Sequence, residues 1–372
     1  MSPRKIKFYT ESIAPPSFDG FNPNKSQENY SGSLKVLTEL YPNRHLILTD
    51  SASGALNAIA HAVPIHPGDE IICPSFTFVS SVLPFVNRGC IPKWADVHPK
   101  TGNVSLASIK EQTTDRTKFL VLVHYEGHHE EALEIQKFCQ SNGIVLIEDG
   151  ALAFGQSLSN PLNCQLGDFG VISFDKTKHI HAIRGGLLLV KEESTARICS
   201  NFIHLGTNQL DFIQNKTSHY EWIGLGLKHS MPDHSAWWLK HQLAHFKDTL
   251  LKRQENASYL IDGISKMSAT KSFYALQNPP SPQFQSISIV FDTNELKQQG
   301  VLHFKTNGIQ ALAHYFPLHL SKYGQQFPCL KPLPHSEALG LNLLRIPVHE
   351  NLSIDDLDYT LFHLNELRKL AI

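Results

Sequence analysis

Short apolar runs recur along the first half of the chain, each followed by a stretch with helical spacing. Leu46-Ile47-Leu48 reads as a buried strand, and Gly54 to Ala62 as the helix after it. Glu70-Ile71-Ile72-Cys73-Pro74 and Lys93-Trp94-Ala95-Asp96 read as strands, the second followed by a helix near 105–112. Phe119 to His124 is a strongly apolar strand and Glu131 to Ser141 an amphipathic helix. Ile144 to Glu148, Gly170 to Phe174 and Gly186 to Val190 complete the series of strands. Apolar runs of this kind, alternating with helices, predict a mostly parallel sheet covered on both faces.

The pattern changes at both ends. Residues 1–32 are rich in Pro, Ser and Asn with weak periodicity, and predict an irregular arm with little core of its own. Residues 232–260, with Ala236-Trp237-Trp238-Leu239 and Leu243, read as one long helical region. Beyond it, Ile287-Ser288-Ile289-Val290-Phe291 reads as a strand and Ile354 to Leu370 as a terminal helix. A chain of 372 residues exceeds what one core usually holds. The expected division is an arm (1–32), a large α/β domain (33–250) and a smaller α+β domain (251–372).

Composition narrows the function classes. The formal net charge is −1, from 33 basic and 34 acidic side chains dispersed along the chain, so nothing marks a nucleic-acid partner. Cys73, Cys90, Cys139, Cys164, Cys199 and Cys329 form no CxxC unit, which argues against a disulfide framework or structural zinc and for reduced thiols in a cytoplasmic protein. The start, MSPRKIKFYTESIAPP, has no apolar core of a signal peptide, and no run approaches the ~20 apolar residues that span a membrane. His124, His128 and His129 lie close in sequence, and His179 and His181 flank one residue, but no carboxylate or cysteine pattern supports a metal site.

Several polar groups follow predicted strands, where open α/β sheets bind ligands. Thr49-Asp50-Ser51-Ala52-Ser53-Gly54 joins a strand to a helix; it is either an ordinary serine N-cap or a turn whose backbone N–H groups face an anion. Glu148-Asp149 ends an apolar strand, as a loop acid, a helix cap, or a carboxylate for a cationic ring nitrogen or a metal. Ser173-Phe174-Asp175-Lys176-Thr177-Lys178 follows another strand, ahead of Arg184-Gly185-Gly186. A lysine there is ordinarily a solvated charge.

Taken in order, these segments are specific. With Pro74-Ser75-Phe76-Thr77-Phe78 and Val123-His124-Tyr125 between them, residues 33 to 370 resemble the DegT/DnrJ/EryC1/StrS family of sugar-nucleotide aminotransferases, which depend on pyridoxal phosphate (PLP). Gly206-Thr207-Asn208, Tyr220-Glu221-Trp222 and His314-Tyr315-x-Pro317-Leu318-His319 resemble the branch that makes dTDP-4-amino-4,6-dideoxygalactose. The resemblance implies a fold-type I, aspartate-aminotransferase-like enzyme. Lys178 would carry PLP as a Schiff base and Asp149 would face the ring nitrogen. Ser51, Ala52, Ser53 and Ser173 would hold the phosphate, and Phe78 would stack on the ring. Lys228 would stand where relatives use an Asn to reach the neighbouring subunit's phosphate. Arg184, Tyr315 and His319 would contact substrate. The implied partners are an amino-acid donor, a nucleotide-linked keto sugar and a second copy of the chain. Trp222, Trp237 and Trp238 would offer apolar area for that homodimer. Surface-polysaccharide or related glycan synthesis is the implied setting.

Besides Lys228 and a faintly echoed Gly/Thr-rich segment at Tyr30-Ser31-Gly32-Ser33, three positions depart from the family. Leu152 stands where relatives carry Gln or His, Arg184 where they carry Glu, and Ser286 where they carry His. Leu152 and Arg184 motivate an alternative, a PLP-binding member with little or no catalysis and a partner or regulatory role. A third reading, the related sugar dehydratase, requires histidine in place of Lys178, and the lysine argues against it.

Overall fold

A computed structural model describes residues 4–9, 21–127, 130–155, 163–267, 273–276 and 285–369. In chain order the large-sheet strands are β1 (His45–Thr49), β2 (Glu70–Pro74), β3 (Ile91–Ala95), β4 (Thr117–Val123), β5 (Val145–Asp149), β6 (Phe169–Ser173) and β7 (Gly186–Val190). They form a seven-stranded sheet in the order β1-β7-β6-β5-β4-β2-β3. β7 runs antiparallel to both its neighbours, and the remaining pairs are parallel. An apolar run carries no record of direction, so β7's reversal is not visible in its sequence.

Alternate side chains of these strands enter different cores. Phe119, Val121 and Val123 pack with Ile71, Cys73, Ile147 and Leu188. Helices α2 (Ala52–Ala62) and α6 (Glu193–Ile203) cover that face. Leu120 and Leu122 pack on the opposite face with Ile72 and Leu146. There α4 (Leu106–Gln112) and α5 (Ala132–Ser141) cover them, and Leu187 and Leu189 meet α1 (Ser26–Leu40) and α8 (Asp233–Ala244). Burying such a side chain contributes about 1.5–3 kcal/mol, so both faces drive the sheet together.

The long helical region divides at His245 into α8 and α9 (Phe246–Met267). A second sheet, three-stranded and antiparallel, has the order β10-β9-β8: β8 (Phe273–Ala275), β9 (Ser286–Phe291) and β10 (Leu343–Pro347). Helices α9, α10 (Asn294–Thr306) and α12 (Ile354–Lys369) bury Leu260, Phe304 and Leu364 against it. The terminal helix ends within the described residues at Lys369, and Leu370 lies outside them.

Two expectations need correction. The supposed irregular arm contains the first turns of α1, whose Ser33 donates to the Ala236 carbonyl at 3.2 Å. Ile6 and Phe8 are buried as well: Ile6 pairs with Gly308 and Gln310, and the Phe8 N–H donates to Gln310 Oε1 at 3.0 Å. Trp237 and Trp238 are buried in α8, which packs against α1, and they offer no surface area. Trp222 is 79% exposed.

Candidate active site

The carboxyl ends of β1, β2, β4, β5 and β6 and the amino end of β7 meet at one sheet edge, beside β10 of the small sheet. A cavity of about 360 Å³ opens there. Eight expected residues line it: Ser51, Ala52, Ser53, Phe78, Asp149, Ser173, Lys178 and Tyr315.

The floor is built from turns. Ser51 caps α2: its hydroxyl accepts from the Gly54 N–H at 3.0 Å and donates to Asp50 Oδ1 at 2.8 Å. That hydroxyl is therefore committed to the turn. The first N–H groups of the helix, at Ala52 and Ser53, have no partner within it. Gly186 lies directly against this turn, and a Cβ there would stand 2.5 Å from the Ala52 nitrogen. Only glycine lets β7 approach so closely.

Asp149, at the end of β5, is buried and held from both sides. Ser81 donates to its Oδ2 at 2.6 Å and the Ala151 N–H to its Oδ1 at 3.0 Å. Thr77 lies 3.2 Å from the Ser81 hydroxyl. Its neighbour Glu148 turns away, accepting from the Leu166 and Gly167 N–H groups at 2.7 Å and facing His124 at 2.9 Å. The pair thus separates by strand alternation into a structural acid and a cavity acid.

Lys178 sits in the loop joining β6 to β7. Asp175 shapes that loop by accepting from the Thr177 N–H and hydroxyl at 3.0 and 2.8 Å. Gln285 donates to the Thr177 carbonyl at 2.9 Å, tying the loop to the small-sheet half. Burial and then Arg345 lower the Lys178 amine from 10.5 to about 8, against the pull of Asp149, Asp175 and Glu126. His314 is lowered to about 3 by burial, Arg345 and Lys178, so its ring is neutral at physiological pH.

Three expected residues lie outside the cavity lining. Arg184 is largely exposed and pairs with Asp50 at 3.0 Å, because Asp50 points from the α2 cap toward that side. His319 is buried against Ser75, Nδ1 to Oγ 2.6 Å, with Glu337 at 3.4 Å. Lys228 is exposed on the segment after Leu227 and bridges His204. The motifs Gly206-Thr207-Asn208 and Tyr220-Glu221-Trp222 pair with each other, Asn208 Oδ1 accepting from the Glu221 N–H at 2.8 Å, and line no part of the cavity. Of the histidine cluster, His128 and His129 lie outside the described residues. Among the described residues no group of three or more His, Cys, Asp or Glu side chains is gathered in metal-binding fashion.

Sequence reading missed Tyr9, Thr77, Ser80, Ser81, Gln285 and Arg345 in the lining. Arg345 had a visible signal: a charge inside the apolar run Leu343-Leu344-Arg345-Ile346. Tyr9 and Ser81 had none, since short polar segments far apart in sequence meet only in the fold.

The sequence profile of the DegT/DnrJ/EryC1/StrS aminotransferase family matches residues 34–364. The chain belongs to that family. It is an enzyme of the PLP-dependent sugar aminotransferases, with the fold-type I architecture. Among solved structures, it is similar to Helicobacter pylori PseC, an aminotransferase involved in the biosynthesis of pseudoaminic acid: 19% identity, TM-score 0.85, covering 99% of this chain and 100% of that one. The aminotransferase TlmJ from Streptoalloteichus hindustanus is 22% identical, with TM-score 0.82 over 92% of this chain and 91% of its own. A mutant of GDP-4-keto-6-deoxymannose-3-dehydratase with bound GDP-perosamine matches at 18% identity and TM-score 0.83, over 97% and 100%.

The cavity's donor set fits PLP. It offers an amine of lowered basicity, a buried carboxylate, and a glycine-packed helix N-terminus suited to a phosphate.

Proposed function

We propose that the protein transfers an amino group from glutamate to a dTDP-linked 4-keto-6-deoxy hexose, working as a cytoplasmic homodimer with PLP bound at Lys178. The observation that carries the reading is the convergence of Lys178, Asp149 and the α2 N-terminus on one cavity. When bound, PLP supplies an electron sink that lets the carbon bearing the amine lose a proton. Ala52 and Ser53 N–H groups, with the Ser173 hydroxyl, would hold its phosphate, and Asp149 would keep its ring nitrogen protonated. Phe78, exposed at the cavity wall, would cover the ring face.

Lys178 would act twice: first as the attaching amine and then, released, as the base whose Nζ moves a proton between the two carbons that flank the transferred nitrogen. Ser81 keeps the Asp149 carboxylate aimed at the cavity through its 2.6 Å hydrogen bond. Tyr315 and His314 offer hydroxyl and imidazole contacts to the sugar. Support for the dTDP-linked acceptor is the branch resemblance together with Tyr315 in the lining. Arg184 and His319 would contact substrate only after moving from their present partners.

The proposed homodimer draws support from an exposed apolar run, Tyr220, Trp222, Ile223, Leu225 and Leu227, next to Lys228. A second copy would cover it and bring Lys228 toward the neighbouring phosphate.

Leu152 favours a second reading, a PLP-binding member with little turnover, because an alkyl side chain lines the cavity where relatives offer a hydrogen bond. Incubating the holoprotein with glutamate separates the two. Loss of the lysine-bound chromophore with release of 2-oxoglutarate supports the transaminase. An unchanged spectrum supports the silent binder. A panel of nucleotide-linked keto sugars then tests the acceptor, and turnover only with a 3-keto, GDP-linked or UDP-linked sugar overturns the dTDP 4-keto assignment.

A further inference from the structure

Among the described residues the cavity lining contains two cations, Lys178 and Arg345, since His314 is neutral. Lys178 belongs to the reacting centre. Arg345 is 2% exposed and comes from β10 in the small sheet, on the opposite wall. Its Nε donates to Ser286 Oγ at 2.6 Å, and Nη1 donates to His314 Nε2. Its Nη2 is buried without a hydrogen-bond partner among the described residues.

Behind Arg345 stands Glu126, 1% exposed, on the turn after β4 of the large sheet. Glu126 Oε1 lies 3.5 Å from Arg345 Nε and accepts from Ser288 and Ser286 at 2.8 and 3.2 Å. Its Oε2, like Arg345 Nη2, is buried and unpartnered among the described residues. The turn holds Glu126 at φ 52°, ψ 21°, a left-handed conformation uncommon for a residue with a side chain. The result is an incomplete ion pair: one contact where a guanidinium and a carboxylate can make two parallel bonds. Arg345 lines the cavity with Glu126 packed behind it, and each polar atom left unmet carries a desolvation cost.

We propose that Glu126 is a specificity-determining residue: an internal counter-ion that occupies Arg345, so that a carboxylate-bearing ligand enters the cavity only in competition with it. The inference rests on the proposed reading in which an amino acid brings the amine. The donor's carboxylate is an anion in that chemistry suited to pair with the guanidinium. Because Glu126 already balances the guanidinium, the cavity discriminates against anions that cannot displace this contact. Ser286 and Ser288 hold Glu126 from the small-sheet side, so the competition also couples the two sheets.

The test is binding to the PLP-loaded protein, read from the cofactor absorbance and by calorimetry, with maleate as an unreactive dicarboxylate. Glu126→Gln keeps the shape and the serine hydrogen bonds but removes the charge. It is expected to tighten maleate binding by roughly tenfold, the scale of a hydrogen bond to a charged group. The double variant Glu126→Gln/Arg345→Gln is expected to lose that gain, and a neutral amide analogue of maleate is expected to bind both forms alike. If Glu126→Gln does not fold, Glu126→Asp, one methylene shorter and still charged, is expected to give a smaller tightening in the same direction. Unchanged or weaker maleate binding in a folded variant overturns the proposal, as does a gain that survives loss of Arg345. Tightened binding in a protein that never transaminates would retain the counter-ion and discard the donor reading. Turnover with glutamate but no tightening would do the reverse.

Discussion

Lys178 gives the most direct measurement of what burial does in this cavity. Lowering its amine from 10.5 to about 8 changes the fraction that is neutral, and hence nucleophilic, at pH 7. That fraction rises from about 0.03% to about 9%, a gain of roughly 300-fold. Less basic amines are intrinsically weaker nucleophiles, so the rate gain is smaller than the change in fraction. The assay is competitive labelling of the apoprotein with an amine reagent across pH, the Lys178 peptide being quantified by mass spectrometry. The expected inflection is near pH 8. An inflection near 10.5 would refute the reasoning, because it would mean that solvent or the surrounding acids cancel the burial.

The same shift makes a stability statement with a definite sign. The unfolded chain holds this proton more tightly than the folded one, so stability rises with pH between the two values. The penalty is fully present below about pH 8, shrinks as pH rises, and is gone above 10.5. The difference corresponds to ~3 kcal/mol at most, and to less where solvent reaches the partly exposed amine. Lys178→Met should therefore stabilise the apoprotein near neutral pH and flatten the rise in denaturation midpoint above pH 8.

Three other perturbations test separate parts of the site. Asp149→Asn is expected to retain PLP through its phosphate but to slow amine transfer by orders of magnitude, on the ~3–5 kcal/mol scale of a lost buried charge partner; near-normal single-turnover rates would show that another group meets the ring nitrogen. Gly186→Ala drives a methyl to 2.5 Å from the Ala52 nitrogen, and should cost about 1–3 kcal/mol in urea denaturation and weaken PLP binding more than binding of pyridoxal, which lacks the phosphate. Leu225→Asp, at a position 73% exposed, should leave the monomer folded yet shift sedimentation toward monomer, and an unchanged dimer would remove this face from the interface.

The strands were legible because both faces of the large sheet are buried, which makes nearly every position of β4 or β7 apolar. Their ends were misread by a residue or two, as with β3, which spans Ile91–Ala95 where the apolar signal suggested 93–96. The break at His245 was hidden because helix-forming sequence continues on both sides of it. At the site, Ser51, Asp149, Ser173 and Lys178 were legible by their order along the chain, which the parallel sheet converts into proximity at one edge. Tyr9 and Arg345 come from segments whose contact depends on how the small sheet meets the large one, and local pattern carries no record of that. Arg184 and His319 were chosen for their chemistry, but Asp50 and Ser75 engage them first.

Leu152 shows how one departure from a family pattern follows from packing. It lies in a cluster with Phe76, Tyr125, Val290, Leu339 and Leu343, where side chains from the large-sheet half meet those of the small-sheet half. Tyr125 is fully buried there, and among the described residues its hydroxyl meets Ser288 at 3.4 Å. A glutamine or histidine at 152 would put a polar group against this apolar surface, with a cost of about 1–3 kcal/mol for each hydrogen bond left unmade. Leucine removes that cost and extends the core that joins the halves. The firmer junction therefore comes with an alkyl side chain on the cavity wall. On the small-sheet wall, His314, Tyr315 and Arg345, the last backed by Glu126 from the turn after β4, are polar residues that can adjust the cavity's polarity. Changes on that wall can alter what enters the cavity while Lys178, Asp149 and the α2 turn, fixed by the large sheet, stay where they are.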